Sequence, residues 1–204
     1  MDFFIFFIFG TFVGSFFNVV IYRMPRDESI IKPRSHCPAC KASIPFYRNI
    51  PLVSFILQAG KCANCQGAIS LQYPAVELIN GLFWGWSFYT LPFPEAVTAS
   101  FLSSILIAIA WIDARIYMVP LDLIVAGVVV LLFAVIFGVL SYSQVLWGIA
   151  TGVLLPGFMM GLTWLVTRRQ GMGFGDLQLG LILGAWVGPI AMILTLFFAS
   201  FLGL

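Results

Sequence analysis

The chain has 204 residues, of which 61% are hydrophobic and 9% charged, and its formal net charge is +2. A soluble domain carries about 25% charged residues, so this composition excludes a soluble enzyme, a disordered chain and a disulfide-stapled secreted miniprotein, and indicates a multi-pass protein of the lipid bilayer. The small net charge argues against nucleic-acid binding, and any histidine-based metal site or triad would rest on His36 alone.

Charge-free windows mark the spans, since a helix crosses about 30 Å of hydrocarbon in about 20 residues. Phe3 to Tyr22 is the first. It lacks a basic leading region and a small-residue cleavage site, so it reads as a retained helix rather than a signal peptide. Leu78 to Pro94 is the second, starting near Tyr73 and containing Glu77; Ala96 to Ile112 is the third. Leu123 to Thr167 is charge-free over 45 residues, which predicts two spans turning at Ser141-Tyr142-Ser143-Gln144. Leu177 to Leu204 is the sixth, long enough to tilt or to break at Gly188-Pro189. The expected fold is an all-α, polytopic bundle of about six transmembrane helices. It divides into a first helix (1–22), a loop (23–72) and a polytopic membrane domain (73–204).

The bases fix the expected orientation. Segment 23–72 holds seven Lys or Arg and two acids. Arg115 follows span three, and Arg168 and Arg169 follow span five. The opposite segments, around 91–95 and 141–144, hold no Lys or Arg. By the positive-inside rule the N-terminus is outside, and the loops 23–72, 113–121 and 168–176 are cytoplasmic.

All four cysteines lie in the first cytoplasmic loop, as Cys37-Pro-Ala-Cys40 and Cys62-Ala-Asn-Cys65, with 21 residues between the pairs. Two such pairs at this spacing predict a four-thiolate Zn²⁺ site. Free thiols and two disulfides are the alternatives, and a reducing cytoplasm disfavours the latter. Four cysteine ligands leave no open position, so the zinc is expected to be structural, stapling a loop with few apolar runs.

Two aspartates fall at one membrane edge. Asp113 ends span three in Trp111-Ile112-Asp113-Ala114-Arg115, where a helix C-terminus disfavours an acid; its bland reading is a surface acid paired with Arg115. Asp176 opens span six in Gly171-Met172-Gly173-Phe174-Gly175-Asp176, and its bland reading is a helix cap. Asp122, two residues after Pro120, reads as a cap of span four. Glu77 is an intramembrane acid, expected to face the bundle interior or the interface. Two adjoining carboxylates can share a proton, one activating water and the other protonating the carbonyl oxygen or leaving amine. The glycines at 171, 173 and 175 permit extended or positive-φ backbone beside a peptide. A phosphate loop is rejected, because Asp176-Leu177 stands where Lys-Ser/Thr is needed.

Taken in order, these segments resemble the bacterial type IV prepilin peptidases, GxGD intramembrane aspartyl proteases. The opening Gly14-Ser15-Phe16-Phe17-Asn18-Val19-Val20-Ile21-Tyr22-Arg23-Met24-Pro25 is similar to that family's first-helix signature. Asn49-Ile50-Pro51-Leu52-Val53-Ser54 between the cysteine pairs, Tyr73-Pro74-Ala75-Val76-Glu77, Asp113 seven residues before Pro120, Gly173-Phe174-Gly175-Asp176 and Leu183-Gly184-Ala185-Trp186 continue the pattern. The resemblance covers essentially the whole chain. Leu121 and Gln178 depart from it, standing where many members carry Asp or Asn and Lys.

The resemblance implies a bacterial inner-membrane enzyme. It cleaves the basic leader of prepilins and pseudopilins after a Gly at the cytoplasmic face, with Asp113 and Asp176 as catalytic aspartates and Gly173 and Gly175 positioning the substrate. Members with the cysteine loop then methylate the new N-terminus using S-adenosylmethionine. Gly14, Ser15, Asn18, Arg23 and Glu77 are the candidates for that half. The competing expectations are a GxGD peptidase without methyl transfer acting on other leaders, a methyltransferase with an inactive peptidase half, and a non-enzymatic assembly protein or transporter with a zinc module. Family members usually continue for one or two helices past the position of Leu204.

Overall fold

The structure is a computed structural model that describes residues 2–168 and 173–202. Arg169, Gly171 and Leu204, each used in the sequence reading, lie outside the described residues. The chain is all-α, and its β pairing among the described residues is two isolated bridges, His36 with Ser43 and Lys61 with Ala68. It divides into two compact units, one reaching to Tyr117 and the other beginning at Met118.

The first unit contains α1 (Phe3–Arg23), a short α2 (Val53–Leu57), α3 (Gln72–Thr90) and α4 (Phe93–Ile116). Helix α1 is a charge-free, mostly apolar run that stops where Arg23-Met24-Pro25 brings charge and a proline. Pro94 sits in the first turn of α4, where its missing N–H costs no bond, and Glu95 complements the helix dipole there. At the other end Tyr117 turns left-handed (φ 54°), and its N–H donates to the Asp113 carbonyl at 2.9 Å. Helices α1 and α3 pack along their lengths, and the rings of Phe6 and Phe88 stack with centroids 3.6 Å apart. Trp84 on α3 donates its indole N–H to Ser104 on α4 at 3.0 Å, a polar tie inside an apolar bundle.

The second unit contains α5 (Leu121–Ile136), α6 (Tyr142–Thr167), α7 (Phe174–Val187) and α8 (Pro189–Leu202). The turn expected at 141–144 lies earlier in the chain. Gly138 takes φ 70°, and Ser141 is the N-cap of α6, its hydroxyl accepting from the Gln144 N–H at 3.3 Å. The polar run therefore starts a helix instead of forming the turn, because a serine oxygen satisfies a free first-turn N–H. The break at Gly188-Pro189 is present, with Gly188 at φ 81°.

Helices α6 and α7 cross backbone to backbone. A Cβ on Gly152 would lie 2.0 Å from the Gly180 carbonyl oxygen, and one on Gly148 would lie 2.0 Å from the Gly184 carbonyl oxygen. Such close approach is how apolar helices gain packing energy when water supplies no driving force between them. Gly152→Leu is expected to lower stability by about 3 kcal/mol or more, because the obstruction is backbone and cannot rotate away. Thermal unfolding in detergent measures it; an unchanged midpoint would mean the helices separate without cost.

Three described helical stretches are long and apolar enough to cross a membrane: Phe3–Arg26, Phe93–Ile116 and Tyr142–Thr167. Large apolar side chains such as Phe4, Ile8, Phe12, Leu154 and Phe158 are exposed, which a bilayer satisfies and water does not.

Candidate functional site

The cysteine pairs build two copies of one turn. Cys37 N–H donates to Ala42 O at 2.9 Å, and Cys62 N–H donates to Gly67 O at 2.8 Å. Lys41 and Gln66, each directly after a pair, are left-handed at φ 59° and 58°. Each turn is closed by one of the two bridges. The duplication is visible afterwards in Cys37-Pro-Ala-Cys40-Lys41-Ala42-Ser43-Ile44 and Cys62-Ala-Asn-Cys65-Gln66-Gly67-Ala68-Ile69, a local repeat the sequence reading did not use.

The four Sγ atoms lie within 4.8 Å of one another, with Cys37 to Cys65 at 4.0 Å and no disulfide among them. Four thiolates on one zinc at about 2.3 Å stand roughly 3.8 Å apart, so this donor set fits a tetrahedral ion. A hydrogen bond from the Asn64 side chain, aided by Ala42, holds the Cys40 thiol down at about 6. The backbone N–H groups of Cys65 and Asn64 lower Cys62. Cys65 stands at about 11: the Gly67 N–H pulls it down, but the Cys40 sulfur, burial and the other two sulfurs push harder upward. Neighbouring sulfurs thus compete for protons, and a cation in their midst relieves that competition.

Beneath the module lies a cavity of about 450 Å³. Its floor is the end of α1, the start of α3 and the last turn of α4; its cover is the cysteine module and the segment between the pairs. Of the residues singled out for methyl-donor chemistry, Ser15, Asn18, Arg23 and Glu77 line it, and Gly14 does not. Gly14 instead lets α1 touch α3, since a Cβ there would lie 2.8 Å from Glu77 Cα. Arg23 is buried and committed, donating to the carbonyls of Ser29 at 2.8 Å and Pro33 at 2.7 Å. Glu77 accepts the Leu52 N–H at 2.8 Å through Oε2. Leu52 has φ 60°, a strained value for a leucine, and the Glu77 carboxylate pins it. Asn18 donates through Nδ2 to the Tyr73 carbonyl at 3.0 Å, while its Oδ1, fully buried, has no partner.

Asp113 lies half-buried on the last turn of α4, between the cavity-lining Ile112 and Arg115. No ion pair joins it to Arg115, so the bland pairing is absent. Asp176 lies exposed in the first turn of α7, and its Oδ2 accepts the Gly173 N–H at 2.9 Å, so it does cap the helix. Gly173 is extended (φ −78°, ψ 156°), whereas Gly175 is already helical. A Cβ on Gly175 would lie 2.9 Å from Val119 Cβ, so its glycine serves packing against the start of α5. Asp122 also sits in the first turn of α5, but Pro120 is the N-cap and no side chain caps that helix.

The sequence matches two family descriptions in succession. Residues 8–91 match the Bacterial Peptidase A24 N-terminal domain, and residues 100–204 match the Type IV leader peptidase family. The chain belongs to the type IV leader peptidase family. Among its relatives are proteins named Prepilin leader peptidase/N-methyltransferase. That of Myxococcus xanthus is 38% identical over 97% of this chain and 59% of its own length. That of Neisseria gonorrhoeae is 34% identical over 97% of this chain and 78% of its own. That of Pseudomonas aeruginosa is 33% identical over 95% and 76%. This chain therefore spans less than two thirds of the Myxococcus relative and about three quarters of the other two. No solved structure matches it. The second matched region begins within α4, before the junction of the two structural units at Tyr117.

Proposed function

We propose that this protein is a prepilin leader peptidase and N-methyltransferase of the bacterial inner membrane. It removes the basic leader of prepilins and pseudopilins and methylates the exposed N-terminus. The observation that carries the peptidase half is the pair of carboxylates at helix termini, Asp113 ending α4 and Asp176 opening α7, in a chain of the type IV leader peptidase family.

Asp113 and Asp176 act together on one water. One carboxylate takes a water proton as the oxygen attacks the scissile Gly carbonyl carbon. The other, protonated, hydrogen-bonds the carbonyl oxygen, and a proton passes to the leaving nitrogen as the C–N bond breaks. The extended backbone at Gly173 pairs with substrate, and Gly175 positions that backbone through its contact with Val119. About six membrane spans, the N-terminus outside and both aspartates at the cytoplasmic edge agree with the one-sided distribution of Lys and Arg. The three parts are the first helix (1–22), the zinc loop (23–72) and the membrane peptidase domain (73–204).

Cys37, Cys40, Cys62 and Cys65 would hold a structural Zn²⁺, which supplies folding energy to a loop otherwise poor in apolar core. S-adenosylmethionine supplies an activated methyl group for the second reaction. Ser15, Asn18, Arg23 and Glu77 serve that half, with Arg23 positioning the loop and Gly14 permitting the α1–α3 contact.

The test is incubation of purified protein with a full-length prepilin in liposomes, with S-adenosylmethionine present, read by intact-mass spectrometry. Loss of the leader mass plus gain of one methyl on the shortened pilin is expected. An unchanged precursor would remove the peptidase reading; cleavage without methyl gain would leave the peptidase alone.

A further inference from the structure

We propose that the segment between the two cysteine pairs, residues 46–57, is not an aqueous loop but lies in the phospholipid leaflet at the Arg23 end of α1, with Phe46, Val53, Ile56 and Leu57 among the acyl chains. The inference goes beyond the two reactions and rests on α1 crossing the membrane.

The segment is amphipathic in the reverse sense to a water-soluble module. Ser54 and Phe55 of α2, with Gln58 just after it, line the cavity, and the 3.6-residue period puts Val53, Ile56 and Leu57 on the opposite side. Ile56 and Leu57 are 74% and 81% exposed, and Phe46 in the single 3₁₀ turn Phe46–Arg48 is 82% exposed. A hydroxyl and an amide thus face inward and aliphatic groups outward, which water penalises and acyl chains do not. The two turns are stitched together, since Ser54 Oγ accepts the Ile50 N–H at 2.9 Å and the Gln58 amide donates to the Arg48 carbonyl at 3.3 Å.

The depth of the segment is set by Glu77. Its Oε2 accepts the Leu52 N–H at 2.8 Å, and its Cα stands against Gly14 of α1. Gly14 precedes the end of α1 at Arg23 by nine residues, about 13 Å at the helical rise. A glutamate side chain is too short to bridge that distance. Leu52 therefore lies alongside the last turns of α1, within the length of an apolar span, and α2 starts at the next residue.

The backbone there also meets the requirement of a lipid environment, where an N–H group must find its partner inside the protein. The N–H groups of Arg48, Asn49, Ile50, Leu52, Val53 and Ser54 all donate to acceptors of this chain.

Charge selects lipid over the other occupants of such a face. Residues 29–76 hold five Lys or Arg and no acid. A second copy would set bases against bases, and the basic leader of a prepilin would be repelled. A leaflet with anionic headgroups attracts the same charge. The Arg48 guanidinium stands 5.7 Å from the centre of the Tyr47 ring, and Tyr47 is itself exposed. An aromatic beside a base is the usual composition of a membrane boundary.

Photolabelling of the zinc-loaded full chain in one-chain lipid nanodiscs tests the placement. Phospholipid carries benzophenone midway along an acyl chain or, in a parallel sample, on the headgroup, and label per peptide is counted by tandem mass spectrometry. The ratio of acyl to headgroup label is expected to be about fivefold higher for residues 46–57 than for residues 34–43 of the first cysteine turn. Equal ratios for these two segments, with residues 3–22 labelled from the acyl chain, would overturn the proposal and leave the crossing of α1 intact. Absence of acyl label from residues 3–22 and 46–57 alike would overturn both. Acyl label on residues 46–57 that is lost in protein-crowded liposomes, or on addition of prepilin, would give the face to a second copy or to the substrate and overturn its assignment to lipid.

Discussion

Asp113→Asn and Asp176→Asn are each expected to lower prepilin cleavage by on the order of 10³-fold, the scale of losing a positioned proton-transfer group. Asparagine preserves shape but can neither take a proton from water nor share one with a partner. The second substitution also separates chemistry from capping. Asp176 accepts the Gly173 N–H, and the asparagine oxygen still accepts it, so a residue that only caps would keep its activity when changed. Asp113 has no ion pair with Arg115, so its loss does not strand a charge. Leader loss read by mass spectrometry decides. Cleavage by either variant at the wild-type rate would discard that aspartate, and Asp122 would be examined next.

Cys37→Ser is expected to reduce bound zinc from one per chain to a small fraction and to expose residues 23–72 to protease. Cys37 is the buried member of the four thiols, and its backbone closes one of the two matched turns. Structural zinc in small modules contributes about 10–16 kcal/mol of apparent binding free energy, more than the few apolar contacts of such a loop replace. Elemental analysis and limited proteolysis measure both effects. A variant that keeps its metal and its resistance would remove Cys37 from the ligand set.

The sequence alone determined the features that depend on length and local spacing. Charge-free runs placed α1, α4 and α6 to within a few residues, because a helix in lipid must be apolar for its whole crossing. The two C-x₂-C pairs announced a cluster of four sulfurs able to hold one ion, because each pair already sets two sulfurs at ligand distance. Asp113 and the Gly173–Asp176 motif were legible as an acid at each of two helix ends. What the sequence could not determine were the partners of polar atoms across long separations. Whether Glu77 faces a ligand or pins Leu52, 25 residues earlier, depends on how the loop folds over α3. That Asn18 keeps a buried oxygen without a partner depends on Tyr73, 55 residues away. That Gly152 and Gly180 bring two backbones into contact follows from the crossing of α6 and α7, not from either helix. Only tertiary packing decides these, because in an apolar interior each polar group takes the partner the fold brings within reach.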